Sequence, residues 1–335
     1  KDVEREIWDG FRYGPDAARE QFGFDEAYPI DELDKMMPSL LENQPKLYAT
    51  LGADPAWDSR LIGWLNEVRS RARTGVQAPK EILDLRSLVH EMRLFKDESE
   101  LATMRRAGQI SRDAHVRAMR FTRPGQFEYQ VEAELIHEFY RNGSRFPAYT
   151  SIVAGGANAC VLHYVENNAE LRDGDLLLID AGCELHGYAA DITRTFPVNG
   201  KFSAAQKDVY EIVLAAQYAA INAAKPGNTW NMPHDAALKV LVQGMLDLKL
   251  LQGSVDSVIE SESYKQFYMH RTGHWLATPT AQARPSPRKD GTSDNMSVSN
   301  PMKTVPALET TASRVPRRAA RIAACRLSWE RNSSR

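Results

Sequence analysis

The sequence predicts a two-domain α/β protein whose second domain runs as a helix pair, a block of strands, and then the same order again. Three observations carry this. A chain of 335 residues with 43% hydrophobic content has material for about two domains on a prior of ~150 residues each. Stretches with helical and with strand periodicity are interleaved along it. Finally, Arg123-Pro124-Gly125-Gln126 and Lys225-Pro226-Gly227-Asn228 each interrupt a helix pair, 102 residues apart, so the strands after the first pair are expected again after the second.

Taken in order, Tyr48–Gly52 reads as a short strand ending in a turn. Arg60 to Arg73 reads as an amphipathic helix with Leu61, Trp64, Leu65 and Val68 on one face. The chain is expected to cross between domains around Ala78-Pro79, with residues 1–95 assigned to the first domain and 96–276 to the second. Asp97 with Glu100 three residues on is a capping-box start, followed by Leu101, Met104 and Ile110, and Pro124-Gly125 stops that helix. A second helix runs from about Phe127 to Asn142, with Gly143 as its stop. Strands are expected at Ser151–Val153, Val161–Val165, Asp175–Asp180 and Asp191–Phe196. A second helix pair begins at Ser203, breaks at Pro226-Gly227 and continues through Leu238, Leu241, Met245 and Leu248.

Charge and cysteine usage narrow the function class. With 42 basic and 44 acidic residues the net charge is −2, which argues against a general nucleic-acid or membrane-surface binder. Cys160, Cys183 and Cys325 share no metal-type spacing and are odd in number, which argues against a disulfide framework and for a cytoplasmic setting. No long apolar run or signal peptide is present, so a spanning or secreted protein is not expected. Residues 277–335 differ from the rest, with 11 Lys/Arg against 4 acids, a local charge of +7, and Trp329 as the lone aromatic. They read as an aberrant basic tail.

The chemistry concentrates between Leu176 and Phe196. Asp180 ends an apolar run, Asp191 opens the next strand, and Gly182 and Gly187 flank a tight connection. A hairpin centred between Leu185 and His186 sets Asp180 directly opposite Asp191, on one sheet face, with Cβ atoms ~4.5–5.5 Å apart. Two carboxylates that close repel unless a cation holds them, and a divalent metal pair would do so. Either aspartate alone reads as a turn or cap residue. His163 sits in a strand candidate, where a structural histidine is the commoner case. His270 and His274 have i, i+4 spacing, but Thr272-Gly273 disfavours a helix and no glutamate completes an HExxH motif. His186 reads as a solvated turn residue, and His90, His115, His137 and His234 carry no signal. There is no Walker A loop, no GxGxxG after a strand and no GxSxG elbow.

Val161-Leu162-His163-Tyr164, Gly174 to Gly182, Gly187 to Phe196 and Met269-His270 through His274-Trp275 resemble the corresponding segments of the Xaa-Pro aminopeptidases, also called aminopeptidase P. These are pita-bread metallopeptidases, with prolidase, creatinase and methionine aminopeptidase as relatives. The match runs from about Glu6 to Leu276. The resemblance implies a truncated creatinase-like N-terminal domain followed by a pita-bread catalytic domain, incomplete at its C-terminus. It also implies two Mn²⁺ ions held by Asp180, Asp191 and His274, with Asp191 bridging them. His163 and His270 would line the site, His163 contacting substrate near the scissile bond. The implied activity is metal-assisted hydrolysis of the bond between an N-terminal residue and a following proline, on peptides with proline second, with homo-oligomerisation possible in the family.

The sequence departs from that pattern after Leu276. The family places another histidine soon after the one matched by His274, then a glutamate in a Glu-Pro-Gly motif, then a second glutamate ligand. Residues 277–335 hold none of these in context, and Glu309 and Glu330 stand in neither position. Three of five expected ligands carry over. The break is abrupt, which points to an out-of-frame reading of residues 277–335. Two other functions stay open: a catalytically silent pita-bread binding protein, and a prolidase acting on dipeptides.

Overall fold

The computed structural model describes residues 3–274, and the 277–335 tail lies outside them. The chain forms two compact units, Lys1–Leu94 and a second beginning at Phe95.

In the first unit, helices α1 (Val3–Asp9), α2 (Gly14–Phe22) and α3 (Leu33–Leu41) precede strand β1 (Lys46–Ala49). Helix α4 (Pro55–Ser70) starts five residues before the sequence reading placed it. Asp54 supplies the reason: its carboxylate accepts from the Ala56 and Trp57 amides, and Pro55 is preset for the first turn. The α4 face buries Leu61, Trp64, Leu65 and Val68 against Leu41 and Ala49. Strand β2 (Glu81–Asp84) pairs in parallel with β1, and α5 (Leu85–Leu94) closes the unit. The Ala78-Pro79 crossing is therefore corrected, because the strand just beyond it pairs with β1 and the first unit runs on to Leu94.

In the second unit, α6 (Glu98–Phe121) begins at the expected Asp97–Glu100 capping box and α7 (Glu128–Arg141) follows the Pro124-Gly125 break. Then come β3 (Phe146–Pro147), β4 (Ile152–Gly155), β5 (Leu176–Ala181), β6 (Cys183–Leu185), β7 (Tyr188–Ala189) and β8 (Ile192–Pro197). They form two three-stranded antiparallel sheets, ordered β4-β5-β8 and β3-β6-β7. Val131, Leu135 and Phe139 of α7 and Ile110 and Ala114 of α6 pack on Leu177 and Ile179 of β5, all of them buried. At ~1.5–3 kcal/mol per large apolar side chain, this layer is the main stabiliser of the strands that carry the two aspartates.

The second helix pair is α8 (Ala204–Ala223), capped by Ser203 and Gln206, and α9 (Met232–Asp247). A Cβ on Gly244 would lie 2.4 Å from Ile212 Cγ2, so glycine is what lets these helices approach. Helix α10 (Val255–Glu260) and the buried Tyr264, Phe267 and Tyr268 complete their core. The strand block expected after this pair falls outside the described residues.

One predicted strand is absent. Val161–Val165 forms a turn, with Val161 N–H donating to Asn158 O and Tyr164 N–H to Val161 O. Its composition suits a strand, but among the described residues no strand pairs with it. Cys183 is a buried free thiol. No described helix is long and apolar enough to cross a membrane.

Candidate metal centre

The hairpin that carries both aspartates turns at His186-Gly187, one residue later than expected. Both residues have positive φ, 50° and 84°, as a two-residue turn of this hand requires, and Leu185 pairs with Tyr188 across it. The register follows from that turn. Asp180 faces Thr193, and Ala181 faces Ile192. The predicted direct Asp180–Asp191 pairing is thus replaced by a diagonal one. Moving the register by one pair keeps the parity, so both carboxylates still share a sheet face. Between the two sheets lies Gly182, where a Cβ would sit 1.9 Å from the Ala190 carbonyl oxygen. Only glycine fits there.

The two carboxylates meet at a residue the sequence reading did not single out. The Tyr149 hydroxyl lies 2.7 Å from Asp180 Oδ1 and 2.5 Å from Asp191 Oδ1. Tyr149 sits in the connection between β3 and β4, and β4 places Ile152 beside Asp180. No sequence motif marks it. Only the sheet register brings it to the pair.

His274 also reaches the pair, with Nε2 3.4 Å from Asp191 Oδ2, while its own side chain is 62% exposed. The segment before it is non-helical, as Thr272-Gly273 suggested, and is pinned at Thr272. Thr272 N–H donates to His234 Nδ1 (3.2 Å), and its hydroxyl lies 2.6 Å from the Tyr268 hydroxyl. Accepting that bond fits a neutral His234, whose burial lowers its pKa below the usual histidine value. His234, set aside in the sequence, therefore anchors the segment that delivers His274. His163 is exposed in its turn and His270 is half-buried in a bend. Neither is hydrogen-bonded to the aspartates among the described residues.

The donor chemistry suits a cation. A phenol has one proton to give, so Tyr149 donates to one carboxylate at a time while both stay close. Thr193 Oγ1, opposite Asp180, and Ser151 Oγ, beside Ile152, are buried with no hydrogen-bond partner among the described residues. Two hard carboxylates and an imidazole match a divalent metal's preferences. Among the described residues no group of three or more His, Cys, Asp or Glu side chains is arranged so that it could hold a metal ion.

Behind Asp180 lies His115 on α6, buried, its Nδ1 2.8 Å from the Ser111 carbonyl oxygen. That carbonyl fixes the proton on Nδ1. Burial drives the His115 pKa down to about 4, with the nearby Arg194 guanidinium adding to the fall.

This fold, with its paired aspartates at the end of an apolar strand, is that of a metallopeptidase. The chain belongs to metallopeptidase family M24, whose model matches residues 102–304, and the aminopeptidase P N-terminal domain model matches residues 1–48. It is 46% identical over 276 residues to the Xaa-Pro aminopeptidase of Haemophilus influenzae and 45% identical over 276 residues to that of Escherichia coli, in each case over 82% of this chain and 62% and 63% of the relative. Among solved structures it is similar to Pseudomonas aeruginosa aminopeptidase PepP, with a TM-score of 0.80 and 52% identity over 83% of this chain and 63% of that one. A zinc-substituted Escherichia coli aminopeptidase P in complex with product also matches, at a TM-score of 0.80 and 44% identity, again over 83% of this chain and 63% of that one. The chain therefore spans about three-fifths of the length of these relatives.

Proposed function

We propose that the protein is a metal-dependent Xaa-Pro aminopeptidase, hydrolysing the bond between an N-terminal residue and a following proline. The observation that carries this is the meeting of Asp180 and Asp191 at the Tyr149 hydroxyl, with His274 on Asp191, inside an M24 fold. The names of the relatives supply the substrate class. Residues 1–95 are read as part of a creatinase-like domain and 96–276 as the catalytic domain. Manganese as the metal and a cytoplasmic setting belong to the same proposal.

Asp180, Asp191 and His274 would hold the metal. When bound there, a divalent ion supplies Lewis acidity, activating water and polarising the scissile carbonyl. Tyr149 keeps the two carboxylates converged. His163 and His270 are assigned to the substrate, where an imidazole N–H can donate to the carbonyl oxygen as negative charge develops on it. His234 and Thr272 hold the backbone from which His274 projects.

The test is hydrolysis of a peptide with proline second, with Mn²⁺ present, by the full chain and by Asp180→Asn. Turnover lost in the variant supports the proposal. Equal turnover in both would remove the metal assignment.

A second reading, a catalytically silent M24 protein that binds peptide, is favoured by one observation: among the described residues no group of three or more His, Cys, Asp or Glu is arranged so that it could hold a metal ion. Retention of an Xaa-Pro peptide without cleavage would support it.

A further inference from the structure

The connection from β4 to β5 carries His163, has no strand of its own after Gly155, and yet is anchored from within by a buried acid. Glu128, the first residue of α7, is fully buried. Its Oε1 accepts from Gly155 N–H (2.7 Å) and Asn158 Nδ2 (3.0 Å). Its Oε2 accepts from the Tyr164 hydroxyl (2.7 Å) and Ala169 N–H (2.9 Å). Four donors thus meet the four acceptor positions of one carboxylate, which is what allows it to be buried. The donors come from the start, middle and end of the connection.

One helical turn on, Glu132 does a related job. Its Oε2 accepts from Asn167 Nδ2 (2.9 Å), while Asn167 Oδ1 accepts from Val153 N–H (3.0 Å) and its amide also donates to Ser151 O (2.9 Å). The far end is tied to the entry of α7 by backbone bonds: Glu128 N–H to Ala169 O (3.0 Å) and Leu171 N–H to Gln126 O (2.7 Å). His163 immediately precedes Tyr164. Its neighbour is drawn inward onto Glu128 while the imidazole stays exposed.

We propose that Glu128 is a positioning residue, a buried carboxylate that gathers Gly155, Asn158, Tyr164 and Ala169 and so fixes the backbone that presents His163. The link to catalysis rests on the reading of His163 as a substrate-contacting residue. The link to loop order does not. A carboxamide replaces the carboxylate poorly, because whichever way it is turned its NH₂ faces a backbone N–H, that of Gly155 or of Ala169, which can only donate.

The experiment is hydrogen exchange on the full chain, comparing wild type, Glu128→Gln and Tyr164→Phe in peptides covering residues 156–169 and, as reference, α8 and α9. The expected result is exchange about tenfold faster or more in 156–169 for Glu128→Gln, a smaller acceleration for Tyr164→Phe, and an unchanged reference. In hydrolysis assays Glu128→Gln lowers kcat with the bound Mn²⁺ content unaltered. Unchanged exchange in 156–169, or equal acceleration in the reference helices, overturns the proposal. Should Glu128→Gln fail to fold, Tyr164→Phe decides by the same comparison. If His163→Ala hydrolyses substrate at the wild-type rate, the reading of His163 fails, while the exchange result still stands or falls alone.

Discussion

Asp180 and Asp191 stand diagonally across a hairpin, and their Oδ1 atoms lie 2.7 Å and 2.5 Å from one tyrosine hydroxyl. The convergence depends on three local features: the His186-Gly187 turn, the glycine at 182 and the reach of Tyr149.

Tyr149→Phe removes the hydroxyl and little else. The carboxylates then lose the group that orients them, and loss of such an orienting partner costs ~10–100-fold in metal affinity. Mn²⁺ titration by calorimetry should show a weakening of that order. Unaltered affinity would mean that the tyrosine is incidental to the site.

Gly182→Ala forces a methyl to 1.9 Å from the Ala190 carbonyl oxygen, with the Ala190 carbonyl carbon at 2.4 Å and Asp191 N at 2.9 Å. All three are backbone atoms, so the strand junction itself must move. Overpacking of this kind costs ~1–3 kcal/mol or more. Thermal unfolding should show a lowered Tm, and any folded fraction should have lost Mn²⁺ affinity through the displaced Asp191. A wild-type Tm would place the junction elsewhere.

His115 makes stability pH-dependent in a defined window. Its folded pKa is about 4, below the ordinary histidine value of 6.5. Between those values the unfolded chain binds the proton and the folded chain does not, so this contribution is complete above pH 6.5 and is lost as pH falls towards 4. A gap of that size corresponds to ~3 kcal/mol. His234, whose pKa is also lowered by burial, adds in the same direction. Urea unfolding of wild type and His115→Phe across this range should give a shallower pH slope for the variant. Parallel slopes would show that His115 is not the group responsible.

Much of this architecture could be read from local sequence, because its signals are local. Asp97 with Glu100, and Ser203 with Gln206, are capping boxes that act within one turn, and both helices start where those residues stand. The apolar stripe of α7 finds its core as its spacing requires. What escaped the sequence is non-local. Val161–Val165 has a strand's composition but no ladder partner among the described residues, a fact that only the sheet topology contains. The hairpin centre was misplaced by one residue because a histidine at positive φ does not advertise itself, although the following glycine is a partial signal. For the candidate site, Asp180 and Asp191 were legible as a pair from type and spacing, whereas His274 was singled out only by the family resemblance. Tyr149, His234 and Glu128 act across separations of 31, 38 and 27 residues or more, and nothing near them in sequence marks the role.

The central claim is that Asp180, Asp191 and His274 hold a divalent metal in this chain. Its most direct test is equilibrium dialysis of the full chain against Mn²⁺, followed by metal analysis, with Asp180→Asn alongside. The account predicts Mn²⁺ retained by the wild type, up to two ions per chain, and lost from the variant. No retained Mn²⁺ in the wild type, or equal retention in both, would contradict it.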